Sequence, residues 1–112
     1  MAKGGFPGMG MGGNMQQMIK QAQRMQAQLT QKQAELEERE YSASSGGGMV
    51  NIRMNGKREI LELTIDPKAV DPEDVEMLQD LVIAAVGEVL RNIEETSQAE
   101  LGRLTGGMNS GF

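Results

Sequence analysis

The chain has no cysteine, no histidine and no tryptophan among its 112 residues, and only three aromatics, Phe6, Tyr41 and Phe112. Without cysteine there is no disulfide, thiolate metal site or sulfur nucleophile, and a reducing, cytoplasmic setting is expected. Without histidine the commonest general base and metal ligand is missing. The scattered aromatics, two of them near the termini, give no stacking platform for single-stranded nucleic acid. No run is apolar and long enough to span a bilayer, and MAKGGFPGMGMGGN at the start lacks the continuous apolar stretch of a secretory signal. No enzyme, cofactor, metal, membrane or small-molecule substrate is therefore expected; Asp66, Asp71 and Asp80 read as a strand end, a helix cap and a solvated helix position.

What is present is unevenly distributed. The net charge is −5, yet residues 1–34 carry Lys3, Lys20, Arg24 and Lys32 with no acid, whereas residues 63–112 carry three basic and ten acidic side chains. Such asymmetry is the pattern of a basic arm that meets nucleic acid or another anionic surface. A solvated lysine-bearing helix face explains the same charges equally well.

Residues 1–13 are rich in glycine and methionine and are expected to be a disordered tail, with a flexible Gly-rich tail again at 105–112. A single domain occupies 14–104. Asn14 followed by Gln17 approximates a capping box, and Met15, Met18, Ala22, Met25, Leu29 and Leu36 recur at spacings of three and four, a heptad seam interrupted at Lys32. Lys20 and Arg24 lie on the opposite, glutamine-rich side. A short strand is expected within Glu38–Ser45, then a glycine turn at 46–48, then a hairpin MVNIRM-NG-KREILELTI. Asn55-Gly56 predicts a type I′ turn with Met54 opposite Lys57. That pairing puts Val50, Ile52, Met54, Leu61, Leu63 and Ile65 on one face and Asn51, Arg53, Arg58, Glu62 and Thr64 on the other.

A second helix is predicted from Pro72 to about Leu104, capped by Asp71. Leu78, Leu81, Val82, Ala85 and Val89 make one apolar stripe, while Met77, Ile83, Ala84, Val86 and Leu90 fall outside it. One packing surface cannot cover both sets, so a homodimer is expected, with Met77, Leu78, Leu81, Val82, Ala85, Val86 and Val89 at the interface. The fold class is α+β: a helix, a short antiparallel three-stranded sheet with its hairpin, and a long helix.

The GGGMVNIRMNG turn and hairpin, the strand closing on Thr64-Ile65-Asp66-Pro67, EMLQDLVIAAV at Glu76–Val86 and LTGGM at Leu104–Met108 resemble the YbaB/EbfC family of bacterial nucleoid-associated proteins. The resemblance implies a tweezers-like homodimer that holds double-stranded DNA in the nucleoid with little sequence preference. Carried onto this chain it nominates Lys20, Arg24 and Lys32 of the first helix, with Arg103 near the end of the second. A prefoldin-like chaperone subunit shares the order of helix, strands and helix, but would have longer helices and no EMLQDL block.

Overall fold

The structure, a computed structural model, describes the backbone of residues 5–106 and the side chains of residues 14–106. The element order is α1 (Gly5–Glu38), β1 (Glu40–Ser45), β2 (Val50–Asn55), β3 (Ile60–Ile65), a single 3₁₀ turn at Pro67–Ala69, and α2 (Val75–Thr105). The three strands form one antiparallel sheet in the order β1-β2-β3. The α+β arrangement is the one the hydrophobic periodicity predicts.

α1 begins at Gly5 rather than at Asn14, so the Asn14/Gln17 box does not start it. Gly5–Gly13 is helical backbone, and no local signal accounts for this, since each glycine in a helix interior costs about 1 kcal/mol relative to alanine. Of the tails expected at 1–13 and 105–112, residues 1–4 and 107–112 lie outside the described residues.

α2 starts at Val75, not Pro72. Asp74 caps it, its side chain accepting from the Met77 N–H at 3.2 Å. Asp71 opens a preceding turn instead: its carbonyl accepts from Asp74 N at 2.9 Å and its side chain from Glu73 N at 3.0 Å. Asp then Pro at the first two positions is the favoured composition of such a turn, which explains why Pro72 does not enter the helix.

Gly46, Gly47 and Gly48 all adopt positive φ, making the β1–β2 turn as expected. The β2–β3 turn departs from expectation. It is not a two-residue type I′ turn; five residues separate Met54 from its partner Ile60, with a bulge between Arg53 and Met54, and Val50 faces Ile65. Asn55 Oδ1 accepts from Lys57 N and Glu59 N at 2.9 and 3.1 Å, and positive φ falls on Arg58 at 68°. The cause is tertiary: Gly56 N donates to the Glu37 carbonyl at 3.0 Å, drawing the turn onto the end of α1. Relative to the expected pairing, Val50 moves from opposite Leu61 to opposite Ile65, a shift of four residues that derives from the observed register. An even shift preserves faces, so Val50, Ile52, Leu63 and Ile65 still share one side and Asn51, Arg53, Glu62 and Thr64 the other.

The core is Tyr41, Val50, Ile52 and Met54 against Ala85, Val89 and Ile93 of α2. Ala85, Val89 and Ile93 recur every four residues, a narrow stripe that seats α2 across β1 and β2. Ser45 Oγ donates to the Leu81 carbonyl at 2.6 Å and fixes the near end of that seat. β3 is left outside the cover, with Leu61 and Leu63 each 42% exposed. The molecule is elongated, 88 × 27 × 17 Å.

Candidate nucleic-acid interface

α2 returns alongside the C-terminal half of α1, and Leu104 reaches a recess lined by Gln28, Gln31, Lys32 and Glu35. α2 ends at Thr105, so the part of α1 before Gln28 runs on beyond the body as an arm. Its described residues Asn14–Gln28 are all exposed.

On this arm Lys20 and Arg24 lie one turn apart with Gln17 and Gln21 around a shallow recess. Neither makes an ion pair among the described residues. At 100° per residue they sit on the side of α1 opposite the methionine seam. Arg103 is also exposed, in the last turn of α2, and likewise forms no ion pair among the described residues.

Lys32 is placed differently. Its ammonium contacts both Glu35 and Glu100 at 3.0 Å, and the Glu100 and Glu35 carboxylates raise its pKa. Arg39, which the sequence offered no reason to single out, completes the cluster by pairing with Glu35 and, at 2.6 Å, with Glu100. Lys32 therefore joins the two helices instead of standing free for a polyanion. The strand-face arginines are occupied too: Arg53 by Glu40 and Glu62, Arg58 by Glu94.

The cluster carries a pH dependence. Hydrogen bonds from Arg39 and Lys32 hold the Glu100 carboxyl at about 2, against an ordinary value of 4.5. A carboxylate whose folded pKa is depressed contributes stability above its unfolded pKa and loses it as pH falls toward the folded one. Thermal stability is therefore expected to be flat above about pH 5.5 and to decline between pH 4.5 and 2. Glu100→Gln should lower the plateau and flatten the decline; an unaltered pH profile in that variant, read by thermal melts across pH, would assign the acid sensitivity to other carboxylates.

The expected interface residues fall into two groups. Ala85 and Val89 are completely buried in the chain's own core, because they are the stripe that seats the sheet, and so cannot touch a partner directly. Met77 is exposed, and Leu78, Leu81, Val82 and Val86 are half-buried. Leu78 and Val82 line an apolar recess with Ile65, Gln79 and Ile83, beside the uncovered face of β3. Ile83, 67% exposed, is the most open large apolar side chain of α2 and is not among the expected interface residues. Its signal was legible: it stands outside the stripe that seats the sheet.

Among the described residues no group of three or more acidic, histidine or cysteine side chains is placed to hold a metal. No described helix is long and apolar enough to cross a membrane.

A small α+β body that carries a cationic helical arm belongs to the class of surface-binding proteins, in which exposed charge and shape take the place of a cavity. The chain belongs to the YbaB/EbfC DNA-binding family, whose model matches residues 11–108. It is 54% identical over 109 residues to a nucleoid-associated protein of Clostridium novyi, covering 97% of this chain and 96% of that one. A nucleoid-associated protein of Alkaliphilus metalliredigens is likewise 54% identical, with the same 97% and 96% coverage. Among solved structures, an uncharacterized protein of Helicobacter pylori superposes with a TM-score of 0.68 at 25% identity, covering 81% of this chain and 96% of its own. The resemblance read from EMLQDL and the hairpin is thus the family to which the chain belongs.

Proposed function

We propose that the protein binds double-stranded DNA of the nucleoid as a homodimer, through phosphate contacts that carry little sequence preference. The observation that carries this reading is the arm itself: Lys20 and Arg24, exposed and unpaired among the described residues, project beyond an otherwise acidic body. Arg103, at the α2 end of the same helix pair, is a supporting contact. Lys32 contributes only where DNA displaces Glu100. Phosphate contacts position a protein without reading bases, so different duplexes should bind with similar affinity.

With Lys20 and Arg24 from each of two chains, four phosphates are neutralised, and the slope of log affinity against log salt should be about 4 in magnitude, rising to about 5 if Arg103 joins. Mobility shifts across a salt series measure it. No binding to any duplex at low salt would overturn the reading and favour an adaptor role.

The homodimer half of the proposal rests on the uncovered apolar ground at Leu61, Leu63, Ile65, Leu78, Val82 and Ile83. Contiguous apolar surface of that kind marks an interface. Ile83→Glu is expected to yield a folded monomer, because Ile83 is largely solvated within one chain and its loss does not open the core. Sedimentation of the variant beside the wild type decides this, and a variant that remains dimeric would place the interface elsewhere.

A further inference from the structure

Asn55-Gly56 is a chemically reactive pair as well as a turn. An asparagine side-chain amide is open to attack by the main-chain nitrogen of the next residue, and glycine there leaves that nitrogen unhindered. In this turn the amide is polarised for the attack: Asn55 Oδ1 accepts from the Lys57 and Glu59 N–H groups at 2.9 and 3.1 Å, two donors on the oxygen where negative charge would develop. Both groups can only donate, so they fix the orientation of the amide, and Asn55 Nδ2 donates to Glu59 Oε1 at 2.7 Å. The nucleophile, by contrast, is blocked. Gly56 N–H donates to the Glu37 carbonyl at 3.0 Å, and the new bond to Asn55 Cγ must take the direction that this N–H holds. We propose that Asn55-Gly56 is a deamidation site kept closed by the end of α1, which reacts when the hairpin and α1 part and so makes that parting permanent.

The reaction needs no reagent but water. Gly56 N gives its proton to hydroxide and bonds to Asn55 Cγ; the Cγ–Nδ2 bond breaks, and Nδ2 leaves as ammonia with a proton from water. Water then opens the cyclic imide, at Cγ to give aspartate or at the main-chain carbonyl to give isoaspartate. Neither product restores the joint. Aspartate sets a carboxylate oxygen against the Glu59 carboxylate where the amide donated, and isoaspartate lengthens the main chain by one carbon between β2 and Gly56, so Gly56 N no longer reaches the Glu37 carbonyl.

The parting is local. Asn55 N donates to the Glu59 carbonyl at 3.1 Å and the Asn55 carbonyl accepts from Arg58 N at 3.0 Å, bonds that lie within the turn and do not depend on α1. On its other side the end of α1 is held by Glu100 of α2 through Lys32 and Arg39. Loosening that cluster therefore frees Gly56 while β2, the central strand, stays paired with both neighbours. Asn55 thus records excursions of the very joint that roots the arm.

The test ages the full-length protein without DNA at mildly alkaline pH. Conversion of Asn55 is read from the mass of its proteolytic fragment and from isoaspartate-directed methylation, while amide exchange of Gly56 and of buried Ile52 is followed by NMR. Conversion should be at least ~tenfold slower in the folded chain than in the chain unfolded by urea. Below the unfolding transition, added urea should leave Asn55 conversion and Gly56 exchange nearly level while Ile52 exchange climbs, because a local parting exposes little surface. Glu100→Gln should speed conversion and Gly56 exchange by similar factors. Asn55→Asp should lower the melting temperature, and Glu59→Gln added to it should restore it, since an amide again donates across the pair. Equal rates folded and unfolded, conversion that climbs with Ile52 exchange, conversion indifferent to Glu100→Gln, or an Asn55→Asp chain as stable as the wild type would each overturn the proposal. Neither DNA binding nor dimerisation enters these readouts, so the result stands apart from both.

Discussion

Exchanging Lys20 and Arg24 together for glutamate is expected to abolish DNA binding while leaving melting temperature and oligomeric state unchanged. Each exchange removes one phosphate contact and places an anion against the backbone, and the effect is doubled in a dimer. At low salt the loss should be at least ~100-fold, since each phosphate contact also releases counterions. The fold should be indifferent, because both side chains are exposed and make no ion pair among the described residues. Different duplexes should weaken by similar factors. Mobility shifts with two unrelated sequences test both statements. Undiminished binding would move the site to Arg103, because Arg53 and Arg58 are already held by carboxylates. Lys32→Gln offers a contrast: it should loosen the joint between the helices, with a smaller effect on affinity than either arm exchange.

That contrast marks how far the sequence could be read. The element order, the sheet faces and the opposition of Lys20 and Arg24 to the methionine seam all follow from periodicity, which is local and survives an error of register when the error is even. Long-range pairing is not local. Nothing in residues 30–40 alone shows that Lys32 and Arg39 both meet Glu100, more than sixty positions away. Nor does the apolar pattern of α2 say which side faces the sheet; Ala85 and Val89 share a stripe with Leu81, but only the placement of α2 over β1 and β2 separates core from open surface. Uncovered β3 is the consequence, and it puts Leu61 and Leu63, expected inside, into solvent in the single chain.

Gly56 is the position where local reading and structure diverge most in mechanism, and the divergence can be measured. A type I′ turn would require glycine there for positive φ, and Gly56→Ala would then cost about 1 kcal/mol. In the structure Gly56 is not among the residues with positive φ. A Cβ added to it would instead run into the Leu36 carbonyl, with the Leu36 carbonyl carbon at 2.7 Å and the Glu37 Cα at 2.8 Å. Those atoms are backbone at the end of α1, so no rotamer change relieves the overlap, and the 3.0 Å bond from Gly56 N to the Glu37 carbonyl would break as the segments part. Gly56→Ala is therefore expected to destabilise by about 3 kcal/mol or more, with Gly56→Val little worse, because the first side-chain carbon already makes the clash. Gly47→Ala supplies the reference: φ is +66° with open space around it, so only the ~1 kcal/mol of backbone strain applies. Urea unfolding of the three variants separates the cases, and a Gly56→Ala cost no larger than that of Gly47→Ala would refute the packing account. The same contact fixes where the arm points, since Gly56 ties the root of α1 to the hairpin on one side while Glu100 ties it to α2 on the other. A variant that survives with the hairpin displaced should therefore lose DNA affinity only as far as it loses the folded joint, with Lys20 and Arg24 still in place.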